Sequence, residues 1–197
     1  MVVGDFVNEV DVLVVGAGPG GYVAAIRAAQ LGKSVVCVDK DQVGGVCLNR
    51  GCIPSKALIS AAHQYEAAKH GDAMGVIAEN VKLDFAKVQE FKNNVINKQI
   101  NGIRSLFKGN KVEFISGEAF FISENVVSVS NEEEGRRYKF NHCIIATGSS
   151  PIELKPFPFG GRILSSTEAL SLPEVPKSLI VIGGGYIGLE MGSVWQR

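Results

Sequence analysis

Short apolar runs alternate along this chain with glycine-containing turns and with stretches of helical periodicity. Residues 11–15 and 34–39 have the composition of buried parallel strands. Between them, residues 21–31 are predicted to form a helix that Gly32 ends. This strand–helix–strand order predicts an α/β fold with a parallel sheet.

Two longer helices are predicted next. The first runs over about residues 55–69, with Pro54 in its first turn. The second is capped by Asp84 and extends through about Phe107. Its apolar residues recur at helical spacing, which is typical of a core-facing stripe: Phe85, Val88, Phe91, Val95, Ile96, Ile100 and Ile103.

Strand-like alternation takes over between residues 111 and 140. Residues 112–115, 119–122 and 126–129 are predicted to form an antiparallel meander, with a hairpin tip at residues 132–135. Residues 142–146 are predicted to be a further buried strand that ends at Thr147 and Gly148.

A proline-rich connector at residues 151–158 suggests a boundary between a first domain, residues 1–150, and a second, residues 151–197. After it, a predicted strand at 178–182, glycines at 183–188 and a helix at 189–196 repeat the pattern of residues 12–30. The repeat predicts two nucleotide-binding domains. Because a complete strand–helix–strand unit takes about 30 residues or more, we expect the second domain to be truncated.

Charge and hydropathy narrow the functional classes. Lys+Arg and Asp+Glu number 20 each, which argues against a nucleic-acid-binding surface. No apolar run reaches the roughly 18 residues of a membrane span. The first residues are acidic without a basic region, unlike a signal peptide, and predict a cytoplasmic protein.

The first glycine motif, at residues 16–21, has the pattern G-x-G-x-x-G between a strand and a helix. Gly16 permits a tight turn, Gly18 the approach of a pyrophosphate, and Gly21 close packing of the helix on the strand. Asp39 ends the next strand, where an acid accepts a hydrogen bond from a ribose hydroxyl. The alternative is a glycine-rich turn that binds nothing.

Gly183, Gly185 and Gly188 satisfy the same pattern. The acid that would distinguish NAD from NADP falls after Arg197, so the choice of nucleotide stays open. A truncated unit with no ligand is the alternative.

The four cysteines fall into two classes. Cys37 and Cys143 lie in apolar runs and are predicted to be buried strand residues. Cys47 and Cys52 flank a glycine-containing loop, and Cys52 precedes a helix whose dipole favours a thiolate. Such a pair suits dithiol exchange. The alternatives are two unpaired buried thiols, or a zinc site, although no second cysteine pair completes one and His63 is the nearest histidine.

Residues 44–56, Gly-Gly-Val-Cys-Leu-Asn-Arg-Gly-Cys-Ile-Pro-Ser-Lys, resemble the pyridine nucleotide–disulfide oxidoreductases. The segments Leu-Asn, residues 48–49, and Ile-Pro-Ser-Lys, residues 53–56, are similar to the dihydrolipoamide dehydrogenase branch of that family. The likeness continues through residues 146–149 and 183–190 and covers essentially the whole chain. It implies a Rossmann-like FAD-binding domain, incomplete without its return segment, followed by the start of a Rossmann-like NAD-binding domain.

The resemblance also implies roles for individual residues. Cys47 becomes the interchange thiol and Cys52 the charge-transfer thiol next to the flavin, the two forming a redox-active disulfide. Lys56 lies near the flavin and pairs with Glu190. Asp39 binds the FAD ribose, although many relatives have Glu there. The remaining residues implied to contact FAD are Lys40, Gly45, Val46, Ala119, Thr147 and Gly148.

The activity implied is oxidation of protein-bound dihydrolipoamide, with electrons passing through the disulfide and FAD to NAD. The implied partners are the lipoyl groups of a 2-oxoacid dehydrogenase complex, such as the pyruvate complex, and a second copy in a homodimer. The family's catalytic histidine has no counterpart here, since His70 and His142 resemble ordinary polar positions, so we expect the chain alone to be inactive. A glutathione or mercuric reductase type of enzyme and a non-catalytic FAD-binding module are the alternatives.

Overall fold

The computed structural model describes residues 7–131 and 135–197. These residues form six strands and six α-helices, with one short 3-10 helix at Asp72–Met74. In chain order the elements are β1 (Val7–Val15), α1 (Pro19–Gln30), β2 (Val35–Asp39), α2 (Gly45–Arg50), α3 (Cys52–Lys69), α4 (Phe85–Gly109), β3 (Glu113–Ser116), β4 (Glu118–Ser123), β5 (Val126–Ser130), β6 (Gly135–Ile145), α5 (Ser166–Ala169) and α6 (Tyr186–Gln196).

The strands form one sheet in the order β3-β2-β1-β6-β5-β4. β1 pairs in parallel with both neighbours, so that Val14 lies between Cys37 of β2 and Ile144 of β6. β6, β5 and β4 pair antiparallel. The predicted α/β fold, a parallel sheet joined to an antiparallel meander, is confirmed. The hairpin tip predicted at residues 132–135 lies largely outside the described residues.

Two strand predictions are wrong in detail. β3 is not part of the meander but pairs in parallel with β2, with Phe114 opposite Cys37. A short alternating run specifies the two faces of a strand and not its partner. Residues 142–145 are not a separate buried strand either, because they continue β6, and Ile144 and Ile145 are exposed.

The strand predicted at residues 178–182 is not formed. Ile180 is 89% exposed, and Val181 and Ile182 are also exposed. A strand needs a hydrogen-bonded neighbour to satisfy its backbone groups, and within the described chain no segment pairs with these residues. The helix predicted to follow is present as α6.

The chain divides into two compact units. Unit 1 comprises residues up to Asn49 together with Lys98–Ser149, and unit 2 comprises Arg50–Asn97 together with Ser150–Arg197. The end of unit 1 lies next to the predicted boundary after residue 150, but unit 2 also takes in residues 50–97. The division into two nucleotide-binding domains therefore stays a prediction.

Unit 1 has its core between the parallel strands and the meander. Val12, Leu13 and Val14 are all buried, and because neighbouring strand residues point to opposite faces, β1 is covered on both sides. Each such side chain stabilises the fold by about 1.5–3 kcal/mol. The core cluster is Leu13, Val36, Val38, Val127, Val129, Tyr138 and Phe140. This packing fixes the ends of β1 and β2, where the glycine loops begin.

Unit 2 is a cluster of helices. Lys92 of α4 is buried and donates to the carbonyl of Leu170 at 2.9 Å and to Gln89 Oε1 at 2.6 Å. Burial lowers the pKa of the Lys92 ammonium group. The apolar core of this unit contains Leu58, Ala169, Leu170, Met191, Val194 and Trp195. It joins α3, α5 and α6.

The outer strand of the meander, β4, carries three consecutive apolar side chains at the edge of the sheet. Phe120, Phe121 and Ile122 are 56%, 50% and 53% exposed.

Among the helices that the structure describes, none is both long enough and apolar enough to cross a bilayer.

Candidate functional site

The loop between β1 and α1 and the first turn of α1 each have a position that admits only glycine. Gly16 has a φ of +103°, and a Cβ there would lie 2.2 Å from the carbonyl oxygen of Ala146. A Cβ on Gly21 would lie 1.7 Å from the carbonyl oxygen of Gly16. Gly18 is the N-cap of α1 and supplies no side-chain acceptor. The first-turn N–H groups of α1 are therefore left to an external acceptor such as a phosphate.

Asp39 anchors this loop. Its Oδ2 accepts a hydrogen bond from the backbone N–H of Ala17 at 2.6 Å, and its Oδ1 accepts one from Asp41 at 2.9 Å. A carboxylate oxygen accepts two hydrogen bonds, so both oxygens keep capacity for a ribose hydroxyl. The predicted ribose ligand thus also holds the loop that would carry the pyrophosphate.

A second glycine turn, between β2 and α2, lies against the first. The N–H of Gly44 donates to the carbonyl of Ala17 at 2.8 Å. Gly45 has a φ of +58°, and a Cβ on it would lie 2.6 Å from Cα of Gly18. α2 begins at Gly45 and carries the partly buried Cys47. The helix that carries Cys47 therefore starts next to the first glycine loop, residues 16–18.

Asn49 is a residue of this segment for which the sequence analysis predicts no role. Its Nδ2 donates to the carbonyls of Val43 at 3.2 Å and Gly45 at 2.9 Å. The available signal was an amide side chain within a glycine-rich turn, at a position between two cysteines.

The end of β6 closes on the first loop. The N–H of Ala146 donates to the carbonyl of Val15 at 2.7 Å. Thr147 and Gly148 follow, both exposed, and Gly148 has a φ of +73°. Both predicted FAD contacts thus directly follow the residue that lies against Gly16.

Three other predicted cofactor contacts are also in unit 1. Ala119 lies in β4 opposite Val129 and is partly buried. Lys40 lies 3.7 Å from Glu118, an exposed ion pair that contributes little to stability. Val46, in the first turn of α2, is exposed.

In unit 2, α3 begins at Cys52 rather than at the predicted Ser55. The hydroxyl of Ser55 donates to the carbonyl of Gly51 at 2.8 Å and closes the first turn. Cys52 is exposed. Lys56 is four residues further along and lies on the same face of the helix.

Lys56 forms an ion pair with Glu190 of α6 through Nζ and Oε1. The two side chains are 60% and 29% exposed, respectively. The predicted pairing is confirmed, while its position next to FAD stays a prediction.

The cysteines are thiols in this structure. Cys37 is buried as predicted, and burial raises its pKa to about 12. Cys143 is partly buried rather than buried, and this desolvation raises its pKa. The exposure of Cys52 excludes the alternative of two buried thiols. In residues 7–131 and 135–197, no group of acidic, histidine or cysteine side chains could hold a metal ion. The Cys47–Cys52 disulfide stays a prediction.

The second glycine motif repeats the geometry of the first. Gly183 has a φ of +104°, and a Cβ on Gly188 would lie 2.6 Å from the carbonyl oxygen of Gly183. Gly185 caps α6 with a φ of −71°, the value that Gly18 has at α1. The two loops share one backbone design, as the sequence repeat predicts.

The family model of the pyridine nucleotide-disulphide oxidoreductases matches residues 10–197. The chain belongs to this family. Among curated relatives, the dihydrolipoyl dehydrogenases of Geobacillus stearothermophilus and Bacillus subtilis are 63% and 60% identical to it over 197 residues. Each match covers 100% of this chain and 42% of the relative, so the chain spans less than half of their length.

This chain is also similar in structure to a protein whose structure has been solved. The Cu(II) complex of the HOCl-induced flavoprotein disulfide reductase RclA from Escherichia coli matches with a TM-score of 0.78 and 28% identity. The match covers 95% of this chain and 40% of that one.

Family membership implies the use of FAD and of a nicotinamide nucleotide. The residues of unit 1 fit FAD. The contact between Gly18 and Gly45 leaves a backbone cradle without side chains, the first turn of α1 offers N–H donors, and Asp39 retains acceptor capacity. Gly16, Gly18, Gly21, Asp39 and Gly45 would hold its dinucleotide part.

Proposed function

We propose that this chain is the FAD-binding part of a dihydrolipoamide dehydrogenase and carries its redox-active pair, Cys47 and Cys52. One observation carries the proposal. Cys47 lies on α2, whose first residue, Gly45, is in backbone contact with Gly18 of the dinucleotide loop. The proposed redox thiol and the residues proposed to hold the cofactor thus lie in one unit. The identity with dihydrolipoyl dehydrogenases along the whole chain supports the substrate class.

Dithiol exchange at Cys47 would proceed in two steps from the oxidised pair. One thiolate of dihydrolipoamide attacks the Cys47 sulfur, which forms a substrate–Cys47 bond, breaks the Cys47–Cys52 bond and releases Cys52 as a thiolate. The second substrate thiolate then attacks the substrate sulfur that is bonded to Cys47. This closes the lipoamide disulfide and releases Cys47 as a thiolate. The substrate loses two electrons and two protons, and the cysteine pair gains the two electrons.

FAD, when bound, supplies the two-electron redox chemistry that links the cysteine pair to NAD. The protein supplies binding and orientation. The glycine loop and the start of α1 bind the pyrophosphate, and Asp39 orients the ribose. Glu190 fixes the direction of the Lys56 ammonium group through their ion pair. The proposed further contacts with FAD are Lys40, Val46, Ala119, Thr147 and Gly148, and those with NAD are Gly183, Gly185 and Gly188.

The substrate protons need an acceptor, and we assign none in this chain. His70 is exposed and interacts with Glu66 at 3.3 Å, and His142 is exposed on β6. We therefore propose that the 197-residue chain alone has no turnover. In the whole protein, which we propose to be a cytoplasmic homodimer, the natural substrates would be the lipoyl groups of a 2-oxoacid dehydrogenase complex.

Parallel assays on the longest natural polypeptide that contains this sequence test the proposal. We expect NAD-dependent oxidation of dihydrolipoamide, abolished by Cys47→Ser, and no comparable turnover of glutathione disulfide or mercuric ion. Preference for either of the latter substrates would assign another activity in the family and contradict the proposal. The isolated 197-residue chain is the negative control, and turnover by it would contradict the proposed inactivity.

A non-catalytic FAD-binding module is distinguished by the spectrum of the bound flavin. If Cys47 and Cys52 are the redox-active pair, we expect the reduced protein to have a long-wavelength absorbance band that depends on the Cys52 thiolate. Cys52→Ser should remove this band while the flavin stays bound. An unchanged spectrum would favour the non-catalytic module.

A further inference from the structure

The side-chain amide of Asn49 spans the turn from which the Cys47 helix starts. It donates to the carbonyl of Val43, before the glycine pair, and to the carbonyl of Gly45, within it. An amide nitrogen has two protons, and these two acceptors match them. Asn49 is partly buried, which limits competition from water.

The segment that Asn49 spans has little stability of its own. α2 has six residues, and a helix of that length does not persist without tertiary support. Gly44 and Gly45, with φ values of +100° and +58°, lose much conformational freedom on folding. The N–H of Leu48 reaches the carbonyl of Gly44 at a rather long 3.3 Å. External contacts must therefore hold α2 in place.

Asn49 completes a line of hydrogen bonds from the dinucleotide loop to α2. Asp39 Oδ2 accepts from the N–H of Ala17, and the carbonyl of Ala17 accepts from the N–H of Gly44. The carbonyl of Gly45, the next residue, accepts from Asn49. Cys47 lies within the span between Gly45 and Asn49, so the tether encloses the proposed interchange thiol.

We propose that Asn49 is a positioning residue for Cys47. Its amide holds α2 against the glycine turn and so couples the exposure of the Cys47 thiol to the state of the dinucleotide loop. The inference deepens the proposed function. It rests on that function only for the identity of the substrate that reacts with Cys47. Occupation of the cradle by FAD orders the loop and thereby restrains α2 and the Cys47 thiol on it.

The test compares the alkylation of Cys47 with that of Cys52 in the reduced protein. Asn49→Asp keeps the shape and removes the donors, and Asn49→Ala removes the amide. Asn110→Ala is the matched control, because Asn110 Nδ2 also donates to the carbonyl four residues before it, that of Leu106, at 2.8 Å. Rates with iodoacetamide are followed at each cysteine by peptide mass spectrometry.

We expect the Cys47 rate to rise at least about three- to tenfold in both Asn49 variants, because the net contribution of even one of the two lost hydrogen bonds corresponds to a change of that size. The Cys52 rate should stay unchanged, as should both rates in Asn110→Ala. FAD should slow alkylation of Cys47 in the wild type and slow it less in Asn49→Ala. A merely structural asparagine would raise both rates together or neither, and either result overturns the proposal. If both variants fail to fold, Asn49→Gln, which keeps the donor on a longer stem, is tested for the same selective rise.

Alkylation needs no dihydrolipoamide, so this result is independent of the enzymatic assay. Absence of dihydrolipoamide turnover in the longest natural polypeptide that contains this sequence would refute the proposed function and leave the Asn49 result standing. Normal turnover together with unaltered Cys47 alkylation in the variants would do the reverse.

Discussion

The carboxylate of Asp39 accepts a 2.6 Å hydrogen bond from the backbone N–H of Ala17 and so ties the end of β2 to the first glycine loop. The carbonyl of Ala17 accepts from Gly44 of the second loop. Ala17 is completely buried. The backbone of Ala17 thus connects Asp39, the first glycine loop and the turn before Cys47.

Asp39→Ala should loosen both loops. A hydrogen bond to a charged group contributes about 1.5–3 kcal/mol, so we expect the free energy of unfolding to fall by about 2 kcal/mol. Affinity for FAD should fall as well. Urea denaturation and equilibrium dialysis with FAD measure the two effects. Asp72→Ala, at an exposed aspartate in unit 2, is the control, and an Asp39 variant with wild-type stability and FAD affinity would contradict the prediction.

Gly45→Ala should be strongly destabilising, because the added methyl meets the backbone of Gly18 at 2.6 Å at a positive φ. We expect a loss of about 2–4 kcal/mol, in the range of severe backbone effects. Gly32→Ala separates strain from collision, since Gly32 has a φ of +80° with open space around it, and should cost about 1 kcal/mol.

Gly102→Ala is the opposite control, because Gly102 lies inside α4 with open space around it. It should stabilise the protein by about 0.5–1 kcal/mol through helix propensity. Denaturation midpoints of the three variants check the expected ranking, and equal losses in Gly45→Ala and Gly32→Ala would show that the contact with Gly18 is unimportant.

The cysteines should differ sharply in reactivity. The thiolate is the reactive species, and burial raises the pKa of Cys37 to about 12, so Cys37 should resist a disulfide reagent at about pH 8. In the reduced protein, the exposed Cys52 should react within the first minutes. Peptide mapping after timed labelling in native buffer identifies the modified residues, and labelling in denaturant provides the full count. Early native labelling at Cys37 would contradict the prediction.

Asp11 should make stability depend on acid pH. Hydrogen bonds from the backbone and the hydroxyl of Ser34 lower the pKa of Asp11 in the folded protein. Its contribution is therefore complete above the unfolded pKa of about 4 and is lost as the pH falls through the lower folded value. The stability difference between wild type and Asp11→Asn should be largest at neutral pH and shrink on acidification. Urea midpoints across this pH range check it, and a constant difference would refute it.

Local pattern predicted those parts of the fold that local sequence decides. β1, β2 and α1 follow from apolar runs and helical spacing, and the hydrogen bond from the N–H of Lys87 to Asp84 Oδ1, at 3.2 Å, shows the predicted cap of α4. The partner of β3 was missed, because pairing depends on the crossover through α4 and not on the four residues of the strand. The absence of a strand at residues 178–182 has the same origin, since strand formation depends on a neighbour.

At the candidate site, residue type and spacing predict functional roles for Gly16, Gly18, Asp39, Cys47 and Cys52. The two glycine loops could not be placed together from the sequence, because their contact results from the pairing of β1 with β2. The contacts of Asn49 could not be predicted for a related reason. Its bonds go to backbone carbonyls of a turn, and such bonds leave no periodic trace in a sequence.

The outer strand of the meander affects how the protein must be handled. An edge strand with unpaired backbone groups and apolar side chains is a template for pairing with another chain. In β4, Phe120, Phe121 and Ile122 are exposed together, so the tendency to aggregate during concentration should begin there. A lysine in place of Phe120 would be the simplest change that improves solubility without touching either glycine loop.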